Sequence, residues 1–275
     1  MGEYRDDSRV LSFLYGTVPG RVILKGLTAP WLSRLAGWYM DSGFSVRHIG
    51  SFAAKNGIDL NLCRKKKFDS FNDFFTRQLK PELRPVDMAP NALISPCDGR
   101  LSVFAIDEKS VFSIKGSRYT VGELLDGDPA AKRYMGGTCL VFRLCVGDYH
   151  RYHYLDSGVK GNNYHIPGIL HTVRPIALSK VPVFIRNSRE YTLLQTENFG
   201  TVAQIEVGAI LIGRIRNHHG PGPFHKGGEK GMFLYGGSSI VVLLEPGKVR
   251  ILEEFPADGE ERQVLCGQRI GTSHK

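Results

Sequence analysis

The chain has no apolar run reaching the roughly 18–20 residues that a bilayer-crossing helix needs. Cysteine is sparse and unpatterned: Cys63, Cys97, Cys139, Cys145 and Cys266 are widely spaced and form no CxxC. An odd, scattered set excludes a disulfide framework or a zinc knuckle and fits a reducing compartment. The N-terminus lacks the basic start of a secretory signal, since Glu3, Asp6 and Asp7 stand in its place. Repeats of fixed period and low-complexity tracts are also missing, and no glycine-rich loop has P-loop spacing.

What remains is an ordinary globular composition, with 42% hydrophobic and 23% charged residues. A length of 275 residues suits one domain plus an appendage. The 32 glycines and 14 prolines, spread between short apolar segments, favour a β-rich, turn-rich body. A formal net charge of +9 suits an anionic partner: nucleic acid, acidic lipid headgroups or an acidic substrate.

Residues 8–62 differ from the rest. Val10, Leu11, Phe13, Leu14, Val18, Val22, Ile23, Leu24, Leu27, Trp31, Leu32, Leu35, Trp38, Tyr39 and Met40 recur at helical spacing, interrupted by Arg21, Lys25 and Arg34. Such a basic, amphipathic, Trp-containing stretch suits docking to a membrane surface, or equally a helical subdomain packed on the core. We therefore expect a helical region over residues 1–67 and a β-rich domain over 68–275. Between them, Phe68–Leu79 reads as a short helix capped by Ser70, with Asp73 three residues on. Expected strands include Leu101–Ile106, Thr138–Val146, Val181–Ile185, Tyr191–Thr196, Val202–Val207, Ala209–Ile215 and Ser239–Leu244. The glycine turns of Thr196–Ile215 resemble the folded hairpins of lipoyl-type domains. The expected fold class is thus α+β, with a β-rich core resembling a barrel-sandwich hybrid and an N-terminal helical region.

Three short segments carry possible chemistry. In Gly236-Gly237-Ser238-Ser239, small residues ahead of a serine let its Oγ approach the preceding carbonyl for an N→O acyl shift; a plain turn has the same composition. In Asp148-Tyr149-His150-Arg151-Tyr152-His153, two imidazoles suit general acid–base work, metal ligation or simply a half-exposed strand end. Ser95-Pro96-Cys97-Asp98-Gly99 is a tight Asp turn, or a site for a carboxylate that orients a histidine.

Their order along the chain resembles the pyruvoyl-dependent phosphatidylserine decarboxylase proenzymes over about residues 68–245. The resemblance rests on Phe74-Phe75-Thr76-Arg77-Gln78-Leu79-Lys80-Pro81 with Arg84-Pro85, on the three segments above, and on Ile166-Pro167-Gly168, Thr196-Glu197-Asn198-Phe199-Gly200, Val207-Gly208-Ala209 and Lys226-Gly227-Gly228-Glu229-Lys230-Gly231. It implies self-cleavage at Gly237–Ser238 by Asp98, His153 and Ser238, giving a β chain of residues 1–237 and an α chain of 238–275. The family's usual cleavage motif is Leu-Gly-Ser-Thr; here the Gly–Ser pair is kept and Ser239 replaces threonine. By the same resemblance Ser238 becomes a pyruvoyl cofactor that forms a Schiff base with the substrate amine, and His150 transfers a proton in decarboxylation. No metal is implied. The implied partner is phosphatidylserine in an anionic membrane, met peripherally at the cytoplasmic face of the cell membrane, with homo-oligomerisation left open.

Three readings compete. One is a pyruvoyl-dependent decarboxylase of the same scaffold acting on a soluble, aromatic amino acid. A non-enzymatic β-rich binding module is another, although no exposed lysine between hydrophobic neighbours marks a carrier site. Nucleic-acid binding rests on charge alone and lacks a recognisable module.

Overall fold

A computed structural model describes residues 9–27, 30–109, 111–114, 117–173, 177, 181–209, 214–235 and 238–274. Its helices are α1 (Arg9–Gly16), α2 (Val18–Leu27), α3 (Pro30–Asp41), α4 (Ile49–Lys55), α5 (Phe71–Phe75), α6 (Val121–Leu124) and α7 (Val183–Arg186). The strands begin with β1 (Ala92–Ile94), β2 (Gly99–Ala105), β3 (Val111–Ile114), β4 (Ser117–Thr120), β5 (Thr138–Leu144), β6 (Arg151–His153), β7 (Gly158–Ile166) and β8 (Arg189–Thr196). They continue with β9 (Thr201–Val207), β10 (Ile215–Asn217), β11 (Gly222–Phe224), β12 (Glu229–Phe233), β13 (Ser238–Leu244), β14 (Val249–Ile251), β15 (Arg262–Val264) and β16 (Arg269–Ser273).

In the run Ser238-Ser239-Ile240-Val241-Val242-Leu243-Leu244 the stretch from Ile240 is apolar and rich in β-branched residues, and the whole run becomes a strand buried along its length. β13 lies inside an eight-stranded sheet ordered β11-β7-β8-β9-β13-β5-β2-β15. It pairs antiparallel with β5, from Ser238↔Leu144 to Leu244↔Thr138, and with β9 from Ser239↔Val207. Because side chains alternate along a strand, Val241 and Leu243 enter one core with Val141 and Ile205. Ile240, Val242 and Leu244 enter another with Leu140 and Phe142. Two three-stranded sheets, β1-β16-β14 and β10-β12-β6, complete the β body with the β3-β4 hairpin.

The α+β class with a β-rich core holds. Among the described residues the eight strands do not close into a barrel: β11 and β15 stand at opposite edges. The segment expected as a strand over 181–185 instead forms α7, with Val183 and Phe184 buried. A short apolar run has no periodicity to separate strand from helix, and Pro182, which has no N–H to give a ladder, stands at the helix N-cap. Residues 210–213 of the expected strand Ala209–Ile215 lie outside the described residues, and β10 begins at Ile215.

Pro19 and Pro30 fall in the first turns of α2 and α3, where a missing N–H costs nothing. Leu14, Tyr15 and Leu24 join the first core, and Tyr15 Oη lies 3.2 Å from His171 Nδ1. The other face of these helices stays uncovered. Val10, Phe13, Val18, Val22, Ile23 and Leu35 are exposed, and Trp38 and Phe44 reach 73% and 79% exposure. Among the described residues no helix is long and apolar enough to cross a membrane. α5 is shorter than the expected 68–79 helix, but its start is as expected: Ser70 Oγ accepts from Asp73 N at 3.1 Å.

β12 carries a charged side chain into the interior. Lys230 and Glu206 are both fully buried and meet at 2.8 Å, with Lys230 Nζ also donating to Asn217 Oδ1 at 2.7 Å. Burying an ion pair is tolerated only with such compensating bonds.

Candidate active site

Ser238, the first residue of β13, is 1% exposed, and its Oγ lies 3.2 Å from His150 Nδ1. The approach is set by β5. Beyond Leu144 the chain turns tightly, with Asp148 N donating to Cys145 O at 2.9 Å and Cys145 N donating to Asp148 Oδ2 at 2.6 Å. That turn brings His150 back beside Ser238, where the ring's Nε2 lies 3.0 Å from Cys145 O. A carbonyl only accepts, so Nε2 carries the proton and Nδ1 of the neutral ring offers its lone pair to the serine hydroxyl. Burial, helped by the Arg77 charge, pushes the His150 pKa down to about 3. A buried neutral imidazole on a serine hydroxyl is the arrangement that activates a nucleophile.

α5 braces this pair. Phe75 stacks on the His150 ring with centroids 4.1 Å apart. Arg77 Nη2 donates to Gly147 O at 2.8 Å and Asp148 O at 3.1 Å, tying down the turn. Asn72 Oδ1 accepts from Tyr235 N at 2.8 Å, which anchors the segment just ahead of the expected cleavage site. Gly236 and Gly237, and with them the expected scissile bond, lie outside the described residues.

Asp98 and His153 form a second grouping. Both Asp98 oxygens meet the Arg84 guanidinium, Nε at 2.7 Å on Oδ1 and Nη2 on Oδ2. Oδ1 also accepts from Cys266 N at 2.9 Å. His153 closes β6, its N–H donating to Pro96 O at 2.8 Å and its Nδ1 lying 3.1 Å from Cys266 Sγ. Burial lowers the His153 pKa, while Glu229 pulls it back up.

The four expected site residues are thus brought together in pairs: Ser238 with His150, and Asp98 with His153 through Cys266. Among the described residues no hydrogen bond joins one pair to the other. Cys266 was not legible in the sequence, where it is one of five scattered cysteines. Arg84 was visible only as part of a motif, and nothing in the spacing announced its partnership with Asp98 fourteen residues on.

A family model described as phosphatidylserine decarboxylase matches residues 71–272. Similar proteins include phosphatidylserine decarboxylase proenzyme 2 of Clostridium acetobutylicum, 41% identical over 96% of this chain and 92% of that one. The phosphatidylserine decarboxylase proenzyme of Ruminiclostridium cellulolyticum is 43% identical over 96% of this chain and 91% of its own. That of Clostridium perfringens is 42% identical over 87% of this chain and 84% of its own.

Proposed function

Because the chain belongs to the phosphatidylserine decarboxylase family, and is an enzyme of that type, we propose that it cuts itself at Gly237–Ser238 and converts phosphatidylserine to phosphatidylethanolamine with a pyruvoyl group made from Ser238. One observation carries the reading: the buried Ser238 hydroxyl lies on the lone pair of a histidine kept neutral by its surroundings.

Ser238 suits the conversion. His150 takes the Oγ proton as the oxygen attacks the Gly237 carbonyl, then passes it to the departing amide nitrogen, leaving an ester. Loss of the Cα proton of residue 238 expels the Gly237 carboxylate and leaves dehydroalanine. We assign this second proton removal to His153 with Asp98, the pair that the family resemblance implies for self-cleavage. Water then replaces the nitrogen, releasing ammonia and leaving a ketone. That ketone supplies an electron sink for decarboxylation. His150, freed from the hydroxyl, is placed to return a proton to the substrate carbon that loses its carboxylate.

The apolar face of α1 to α3 suits a substrate that stays in its bilayer. Arg21 and Lys25, exposed on α2, add attraction for an anionic surface of roughly 1 kcal/mol each. We place the protein peripherally at the cytoplasmic face of the cell membrane.

Intact-mass analysis of purified, folded protein tests the cleavage. The expected result is two chains, residues 1–237 and a carbonyl-bearing 238–275, with Ser238→Ala remaining whole. A folded wild-type chain that stays in one piece refutes the reading.

A further inference from the structure

Asp98 does not reach the imidazole it is expected to orient. Its oxygens are taken by Arg84 and by the backbone N–H of Cys266, and the side chain on His153 Nδ1 is the Cys266 thiol. We propose, building on the function above, that Cys266 is a positioning residue: its Sγ accepts the Nδ1 proton of His153 and fixes the tautomer that leaves Nε2 free as a base.

The thiol has one hydrogen and two neighbours. Sγ lies 3.7 Å from Pro96 O and 3.1 Å from His153 Nδ1. With the S–H donated to Pro96 O, which as a carbonyl can only accept, the sulfur lone pair faces the ring N–H, the arrangement the proposal assigns. The backbone holds the thiol there. Cys266 N donates to Asp98 Oδ1 at 2.9 Å, Gly267 N to Ser95 O at 3.0 Å, and Ser95 N to Gln268 O at 2.8 Å. Gly267 turns this clip at φ +85°, where a Cβ would come within 2.7 Å of Pro85 O, so a larger residue would spring it open. Asp98, neutralised by Arg84, acts on His153 by way of the peptide it grips.

The groups facing His153 are few. Glu229 is its register partner on β12 and is itself bonded by Arg151 and His218; Asp98 lies behind Cys266, and the Tyr149 ring stacks at 6.1 Å. The ring borders a cavity of about 220 Å³ shared with Lys80, Arg84 and Tyr149. Cys266 also belongs to the segment that cleavage would make the small chain, whereas Asp98 and His153 belong to the large one. The base of one chain is therefore set by a thiol of the other.

The test is the pH profile of self-cleavage in the full-length chain, measured for the wild type, Cys266→Ala and Cys266→Ser. Alanine is expected to slow cleavage on the order of tenfold, the size of loss when the orienting partner of a functional histidine is removed. It should also shift the acid limb to higher pH, because water entering beside the ring relaxes a pKa that burial had lowered. Serine, which offers an acceptor and a donor in the same place, should restore most of the rate and the profile. Cys139→Ala removes an equally buried thiol in β5 and is expected to lower stability without moving the profile. A Cys266→Ala chain with wild-type rate and profile, or a serine variant no better than alanine at equal thermal stability, overturns the proposal. A wild-type chain that never cleaves sinks the functional reading and this one together; a cleaving wild type beside an unaffected alanine variant sinks this one alone.

Discussion

At the scale of single residues, His150 and Ser238 depend on exclusion of water. A protonated imidazole has no lone pair for a hydroxyl, and here burial keeps the ring neutral far below its ordinary pKa of 6.5, to about 3. The unfolded chain therefore binds a proton between those values that the native chain refuses. Native stability is fully present above pH 6.5 and drains away as pH falls toward 3. In a Ser238→Ala background, which removes cleavage from the measurement, His150→Gln should flatten the loss of stability between about pH 7 and 4 in chemical denaturation. An unchanged slope would mean that His153 and His171, shifted downward by burial as well, carry the acid sensitivity. The types and order of Asp98, His150, His153 and Ser238 were legible in the sequence. Who touches whom was not, because contact between residues 88 positions apart is settled by the register of β13 on β5.

Elements were legible where local chemistry decides them. The Ser70 cap and the run from Ile240 to Leu244 follow from propensities that tertiary structure did not override. Residues 181–185 failed because three apolar residues after a proline fit either periodicity. The Lys230–Glu206 pair was invisible too, since a lysine in a charged, glycine-rich stretch reads as solvated. Between β12 and the large sheet this pair has no access to water, and removing one partner strands the other. Lys230→Met should destabilise the fold by about 3–5 kcal/mol in urea titration, and Lys230→Met with Glu206→Leu should recover most of the loss. Equal stability of the single and double variants would show that the charges are not held as a pair.

Over the whole molecule, the exposed apolar side chains of the described residues concentrate on the N-terminal helices. The central strand β13 is buried along its whole length, while α1 to α3 and the short 3-10 helix that follows hold Val22, Trp38 and Phe44 out in the open. Each large apolar side chain sunk into a lipid interface contributes about 1.5–3 kcal/mol. Replacing Val22, Trp38 and Phe44 together by glutamine should reduce co-sedimentation with phosphatidylserine-containing vesicles while leaving self-cleavage intact. Undiminished sedimentation would move the docking surface elsewhere.

The position of β13 has a temporal consequence. It threads between β5 and β9, and the strands that follow it on the same segment are sewn into two sheets, β15 beside β2 and β16 between β1 and β14. The cut proposed just ahead of Ser238 would leave that weave in place but erase the continuity that guided it there. If the proposed cut occurs, the architecture would be reached once, as a single thread, and two pieces melted apart would have to meet by chance encounter, with no tether to recreate the order of assembly.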